Sequence, residues 1–481
     1  MEERGYYVVG FKDAAAAKAH LSCRCDRVCT QPLIGLFLLG CLLSGWSAAF
    51  AQATFTESQR LTFEAVEAHC GRTRPIFDSL SPQQQAWSNT CWELVTTNNR
   101  INNTGGPTGF AIDQITTEQQ LGEAVQEGSP VEVLTLGRGA IESASGQFAN
   151  IGARLEALRL GATGISVAGL SPNTTDHQLT GKTPLAGFHR DGAASADDAG
   201  FSRLGAFING NFIFGDRDRT DRQDGFDFDS KGVTAGVDYR LTDNVVLGIA
   251  FGHVSSDVDI DGFGGELDSD SYNMSTFGTY YLGDFYVDGI FSYGWNDYDA
   301  TRRIVYPTVN TAAQSDTDSQ QYAINVGAGY DFHINGFTLG PIGHVQYLHT
   351  DIDGYEESGA EGGHSLTVSD QTIKSLLISL GGRVNYAVST RIGVFVPELR
   401  LEWNHEFENE TRFVEARYSF DPFNTVFGIP TDAPDRNYFT FGAGVSSTFA
   451  HRISGFVDYQ TLVGLTDVNS HMVTAGIRVE F

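Results

Sequence analysis

The sequence predicts an all-β transmembrane barrel of about twelve antiparallel strands, preceded by a small α-helical N-terminal module. Three observations carry this. Apolar and polar residues alternate with period two over segments of roughly ten residues or more between 203 and 481. Charged side chains stay off the apolar face of those segments, as a lipid-facing surface requires. The connections alternate between short polar turns and long acidic loops.

The end of the chain shows the alternation most plainly. Val473, Ala475, Ile477, Val479 and Phe481 share one face, and Thr474, Gly476, Arg478 and Glu480 share the other. A charge facing mid-bilayer lipid is costly, so Arg478 and Glu480 are expected to line the pore. Leu399, Leu401 and Trp403 likewise oppose Glu398, Arg400 and Glu402, a second set of pore-lining residues. The strand cores fall at 203–214, 229–241, 244–257, 268–282, 284–298, 318–333, 336–350, 371–387, 391–407, 436–449, 451–463 and 468–481. Facing is ambiguous near Phe207 and Met274. Short turns such as 242–244, 335–336 and 389–390 belong on the periplasmic side. The connections 215–228, 258–267, 299–317, 351–370 and 408–435 are expected to be external loops, and 464–467 is short for that side.

Composition agrees with this class. Acidic side chains outnumber basic ones by 59 to 31, for a formal net charge of −28, which argues against nucleic acid as a partner. Aromatic residues make up 12 % of the chain, enough for interfacial girdles.

The chain divides into four parts. Residues 1–51 read as a secretory signal peptide with an extended n-region. Arg24 and Arg27 precede the apolar run Leu33–Leu43, and Ala49-Phe50-Ala51 predicts a cut before Gln52. Leu38-Leu39-Gly40-Cys41 faintly matches a lipidation box, but apolar sequence continues past Cys41. Residues 52–145 read as a small helical passenger. Ser81 caps a helix that has Pro82 at its first position, Thr117 caps another, and Gly128-Ser129-Pro130 breaks before a fourth. Cys70 and Cys91 are the only cysteines after the predicted cut, and in an oxidising compartment they are expected to form a disulfide stapling a helical hairpin, the alternative being two free thiols. Residues 146–202 comprise a helix, with Phe148, Ile151, Leu155 and Leu158 at helical spacing, and a Ser/Thr/Gly/Ala/Asp-rich flexible linker over 171–200. That helix either threads the pore, with Arg154 and Arg159 meeting Glu398 and Glu402, or packs in the N-terminal bundle. Residues 203–481 are the barrel.

The segments Asp284–Tyr298 (DFYVDGIFSYGWNDY) and Phe395–Glu406 (FVPELRLEWNHE) resemble strands of autotransporter translocator domains. The terminal Val479-Glu480-Phe481 is similar to their assembly signal, to which Val473, Ala475 and Ile477 also contribute. The resemblance implies outer-membrane localisation and a type V secretion role, with the barrel anchoring and exporting a short passenger to the cell surface. It implies the Sec translocon, the barrel-assembly machinery, outer-membrane lipid and lipopolysaccharide as partners. Nothing in the sequence fixes an oligomeric state. Two other readings share the barrel: a surface adhesion or structural protein, and a porin-like channel.

No enzyme and no cofactor is expected. Gly164-Ile165-Ser166-Val167-Ala168 lacks the last glycine of a nucleophile elbow, and the region holds only His69, His177 and His189. One partial calcium-loop pattern occurs, with Asp257, Asp259, Asp261 and Asp268; the plainer reading is an acidic loop.

Overall fold

The computed structural model describes residues 55–130, 135–159, 203–262, 265–449 and 453–479. The signal segment, Cys41, Ser166, His177, His189, the linker 171–200, Glu480 and Phe481 lie outside them. Arg478 and Val479 are described only as backbone within a strand.

Twelve long strands close into an antiparallel barrel. They are β1 (Leu204–Arg217), β2 (Phe226–Thr242), β3 (Val245–Ile260), β4 (Gly265–Leu282), β5 (Phe285–Tyr306), β6 (Val309–Tyr330), β7 (Phe337–Ile352), β8 (Gln371–Tyr386), β9 (Gly393–Glu406), β10 (Asn437–Phe449), β11 (Ile453–Val463) and β12 (Val468–Val479). Each pairs with its sequence neighbours, and β12 closes on β1 through Asn209↔Gly476 to Arg217↔Val468.

Every long strand from β2 to β6 crosses two solvents, and its alternation reverses between them. On β2, Val233, Val237, Tyr239 and Leu241 face outward while Ser230, Thr234 and Asp238 are buried inside. Two residues beyond Ser230 the sense inverts: Phe226 and Phe228 turn inward and Asp227 and Asp229 outward. On β3, Leu247, Ile249 and Phe251 face out below, and Asp257 and Asp259 face out above, with Val258 and Ile260 buried. Lipid dictates the first sense and water the second. Phe207, ambiguous from sequence, faces inward, and Met274 faces outward at 55 % exposure.

The reversal corrects two expectations. Residues 299–317 are no external loop: β5 and β6 continue to Tyr306 and Val309 and turn at Pro307-Thr308. Ile304, Tyr306 and Ala313 are buried on the inner face there, so the hairpin has a core to pack on. Of the calcium-loop pattern, Asp257, Asp259 and Asp268 likewise lie on strands, and Asp261 stands in the turn between them. Asp257 and Asp259 pair with Asp268 and Glu266 across β3–β4, and a strand cannot wrap a cation as a loop does. Among the described residues, no three His, Cys, Asp or Glu side chains are grouped to hold a metal ion.

That core is shared with the helical module. Helices α1 (Glu57–Thr73), α2 (Pro82–Asn102) and α3 (Glu118–Gln126) each begin with a reciprocal capping box, on Thr56/Gln59, Ser81/Gln84 and Thr117/Gln120. Helix α2 ends on Asn103 in the left-handed region, φ 50°. Cys70 and Cys91 form a disulfide, Cα–Cα 5.9 Å, joining α1 to α2. The long connections 353–370 and 407–436 hold a small four-stranded sheet (Tyr355–Glu356, Leu366–Val368, Phe413–Tyr418 and Phe427–Pro430). Phe63, Val66, Trp87, Leu94 and Ile115 of the module form one cluster with Leu366, Val414, Tyr418 and Ile429 of that sheet and with Ile304 and Tyr306 of the hairpin.

The reversal level can be tested by one charge placed at two heights. Ile249→Arg, on the lipid face, is expected to cost about 2–4 kcal/mol in urea unfolding from vesicles. Asp259→Arg, ten residues higher on the same face of β3, is expected to lie within about 0.5 kcal/mol of the parent.

Candidate functional site in the barrel lumen

Inside the barrel the inward polar side chains need partners, and α4 (Leu136–Arg159) supplies them. It begins at the long-loop end and ends at the short-turn end. Near its start Arg138 pairs with Glu142 at 2.6 Å, and Glu142 accepts from Ser230 and Ser256. Asn273 donates to Ser143 at 2.7 Å. Gln147 donates to Ser275 at 2.9 Å and accepts from Thr234 at 2.7 Å. Asn150 donates to Asn211 at 2.7 Å, and its carbonyl accepts from Asn209 at 2.8 Å. Gly139 and Gly146 lie where a Cβ would strike Ser269 and Asn211, so glycine sets the closeness of helix to wall.

The strongest contact lies lower. Arg154 grips Asp238 with two parallel hydrogen bonds, 2.7 and 3.1 Å, both side chains nearly fully buried. Arg159 pairs with Asp288 and lies over the Tyr286 ring at 4.2 Å. The sequence-based pairing of Arg154 and Arg159 with Glu398 and Glu402 is therefore corrected. Asp238 and Asp288 sit on the wall that the helix touches, β2 and β5, whereas Glu398 and Glu402 stand on β9 across the lumen. Both carry a sequence signal: each is a charge at the inward phase of a strand with an apolar outer face.

Helix α4 lies against β1–β7 and leaves the rest of the lumen open, as a cavity of about 2480 Å³. Its small residues Ala149, Gly152, Ala153 and Ala157 border that space. The far wall presents Glu398, Arg400 and Glu402, all inward. Arg400 pairs with Glu402 at 3.1 Å and Asp458 at 3.2 Å, and lies 3.9 Å from Glu398. His344 lies 3.4 Å from Glu402. Arg383 joins the halves, 2.8 Å from Asp331 and 3.4 Å from Glu156 of α4. Alternating charges let this wall stay polar and internally paired beside open space.

The mouth at the long-connection end is closed by a second polar centre. Trp87 of α2 stacks on Tyr418 at 3.9 Å between centroids, and the Tyr418 hydroxyl donates to the Gly128 carbonyl at 3.0 Å. Arg302 on the hairpin pairs with Glu357 and donates to the carbonyls of Glu127 (2.8 Å) and His364 (2.9 Å). Module, loop sheet and hairpin thus share one guanidinium. His69 of α1 meets Asp421 at 2.9 Å, both buried. Burial alone would raise Asp421, but His69 and the donors of Phe423 and Thr425 outweigh it and hold the carboxyl well below its usual range. Burial, with Arg302 nearby, holds His364 down to about 3. Burial pushes Glu127 up to about 7.

Two predictions follow from these contacts. Arg154→Ala leaves Asp238 buried without its partner and is expected to cost about 3–5 kcal/mol, read as a lower temperature for loss of the folded gel band. The second concerns pH. His364, with a depressed folded pKa, contributes stability that is intact above the ordinary imidazole value and lost as pH falls below it. Glu127, with a raised folded pKa, contributes stability that grows as pH falls and is lost as pH rises through 7. Between pH 7 and 5 the two oppose, each by about 1–2 kcal/mol. Module melting followed by Trp87 fluorescence is expected to change little in the parent, to fall on acidification in Glu127→Gln, and to rise in His364→Asn.

Comparison with known proteins gives this geometry its context. The family model described as autotransporter beta-domain matches residues 206–460. Outer membrane protein A of Rickettsia conorii is 24 % identical over 251 residues, 50 % of this chain and 12 % of that protein. Esterase EstA of Pseudomonas aeruginosa is 25 % identical over 254 residues, 52 % of this chain and 38 % of that protein. The chain thus spans well under half the length of these curated relatives. The translocator domain of the autotransporter NalP from Neisseria meningitidis superposes with a TM-score of 0.46 at 15 % identity, covering 58 % of this chain and 89 % of that domain. With a family model covering more than half of its length, the chain belongs to the autotransporter β-domain family, a family of outer-membrane barrels.

Proposed function

We propose that the barrel anchors the N-terminal helical module at the cell surface, where the module is docked as a cap on the outer mouth and held by α4 through the lumen. The observation that carries this is the shared core. Trp87, Arg302, Glu357 and Tyr418 bind the module to the end of the barrel that bears the long connections, and in outer-membrane barrels that end faces outward. The direction of α4 agrees: it enters from the cap and ends near the short turns, beside the start of β1. A chain exported N-terminus first through its own barrel would come to rest this way. Its route requires the Sec translocon and the barrel-assembly machinery, which the signal pattern and the terminal alternation support.

The role is proposed to be anchoring and export, without catalysis by the module. Extracellular serine protease, Lipase 1 and Esterase EstA are names of relatives that match this chain over about half of its length. In the described part of the module the one buried histidine, His69, is engaged with Asp421, and the nearby hydroxyls of Thr73 and Ser88 bond each other at 3.1 Å. That arrangement leaves no base directed at a hydroxyl nucleophile.

Phe110, 54 % exposed on the module, is the position for a test. A thiol placed there by Phe110→Cys is expected to react with a membrane-impermeant maleimide on intact cells. Reaction only after the outer membrane is permeabilised would put the module in the periplasm and end this reading.

A further inference from the structure

Among the described residues of the helical module, the exposed large apolar side chains are Ile76, at 40 %, and Phe110, at 54 %. Both belong to the surroundings of Arg74. Ile76 follows it closely in the short helical turn Arg74–Ser79 that links α1 to α2. The Arg74 guanidinium lies over three aromatic rings, 5.2 Å from the centroid of Phe77, 5.6 Å from Trp92 and 5.1 Å from Phe110. Phe77 and Trp92 are themselves only half-buried. A water-facing group of three rings around one cation is a costly surface for a small module to keep.

The rings come from three segments, and each segment is fixed. Phe77 sits in the turn, where its carbonyl accepts from Leu80 N at 3.1 Å and from Gln85 Nε2 at 3.2 Å. Trp92 follows Cys91 on α2, directly beside the disulfide to Cys70. Phe110 belongs to the loop between α2 and α3, and that loop is pinned on both sides of it. Asn99 donates to the Pro107 carbonyl at 3.0 Å, and Ile112 N donates to Thr97 Oγ1 at 2.8 Å. Arg100 holds the carbonyls of Ile112 and Ile115, at 2.7 and 2.6 Å. The group is therefore preorganised, which lowers the entropy lost when a ligand binds.

The cation at its centre has donors to spare. Residues 55–130 hold four arginines. Arg60 pairs with Glu64 at 2.5 Å, Arg72 donates to Thr425 at 3.3 Å, and Arg100 pairs with Asp113 at 3.1 Å. Arg74 has no hydrogen-bond acceptor and no carboxylate partner among the described residues; its contacts are the three rings. Rings engage the face of a guanidinium, whereas its N–H donors lie in the plane. Those donors suit a planar anion.

We propose that Arg74, Phe77, Trp92 and Phe110 form a binding site for an acidic sugar, a pyranose carrying one carboxylate at the end of a glycan. The guanidinium takes the carboxylate through two parallel N–H···O bonds. The rings supply flat apolar faces on which the C–H face of the pyranose stacks, and Ile76 extends that surface. The charge of the whole chain limits the ligand from the other side. At a formal net charge of −28 it repels polyanions, so a single carboxylate on a neutral body is the anion that fits. The site goes beyond anchoring, since it gives the anchored module something to hold. It belongs to the folded module whichever side of the membrane the module faces. The test below uses protein in detergent, so binding and location fail separately.

The full mature chain, folded in detergent, is titrated with sialyllactose, with its neutral parent lactose, and with an N-acetylated Phe-Gly dipeptide, which carries a carboxylate but no sugar ring. Binding is read by saturation-transfer NMR. Sialyllactose is expected to bind about tenfold more tightly than either of the others, the effect of a charge-assisted hydrogen-bonded pair. Arg74→Gln is expected to remove that difference. Phe110→Ala, in the exposed loop, is expected to weaken sialyllactose about fivefold. Arg60→Gln, an exposed cation near the start of α1, serves as the control and is expected to change nothing. Heat-modified gel migration and an intact Cys70–Cys91 disulfide report that each variant is folded. Equal binding of sialyllactose and lactose overturns the proposal. So does undiminished binding of sialyllactose by folded Arg74→Gln or Phe110→Ala, or an equal loss in Arg60→Gln. Equal binding of the dipeptide overturns the assignment to a sugar.

Discussion

The bidentate contact between Arg154 and Asp238 shows the constraint on which the rest of the barrel depends. A strand in lipid must turn its apolar side chains outward, so its polar side chains are forced into the lumen. There they need either water or protein. Helix α4 meets that need along one half of the wall with a sequence that looks unremarkable by composition: Glu142, Ser143, Gln147, Asn150, Arg154 and Arg159, each opposite a matching group. The other half keeps its charges paired among themselves, chiefly around Arg400 and Arg383, and leaves space beside the helix.

Above the membrane the requirement inverts, and the chain follows it without interrupting the strands. Phe226, Phe228, Val258, Ile260, Ile304 and Tyr306 turn inward, where a hollow barrel would leave them in water. The helical module covers them. A module of this size has a modest core of its own, and its disulfide and its packing on the loop sheet supplement that core. Module and barrel therefore have overlapping cores, although the sequence reads as a passenger followed by a separate barrel.

Much of this was legible in the residues. Period-two alternation located all twelve strands within a few residues at most ends, because lipid imposes a pattern that little else produces. The caps on Ser81 and Thr117 and the Cys70–Cys91 pairing were legible for equally local reasons. What escaped was whatever depended on two distant segments meeting. The hairpin over 299–317 has alternation of the opposite sense, polar outward, which reads as an acidic loop until the module that buries its inner face is known. The partners of Arg154 and Arg159 depend on which wall α4 touches, and no spacing along the chain encodes that.

The site around Arg302 joins the carbonyl of Glu127, the carboxylate of Glu357 and the carbonyl of His364, which are supplied by stretches of chain far apart in sequence. Tyr418, from a still later stretch, closes over Trp87 on the same surface. Such a centre has no half-built form that satisfies its charge. The cap cannot be complete before β9 and β10 have brought their connecting segment to that mouth, however early its helices form. The dependence is written into the geometry: helices near the start of the described chain reach their final contacts only through segments that follow β9, and a finished cap certifies a finished barrel.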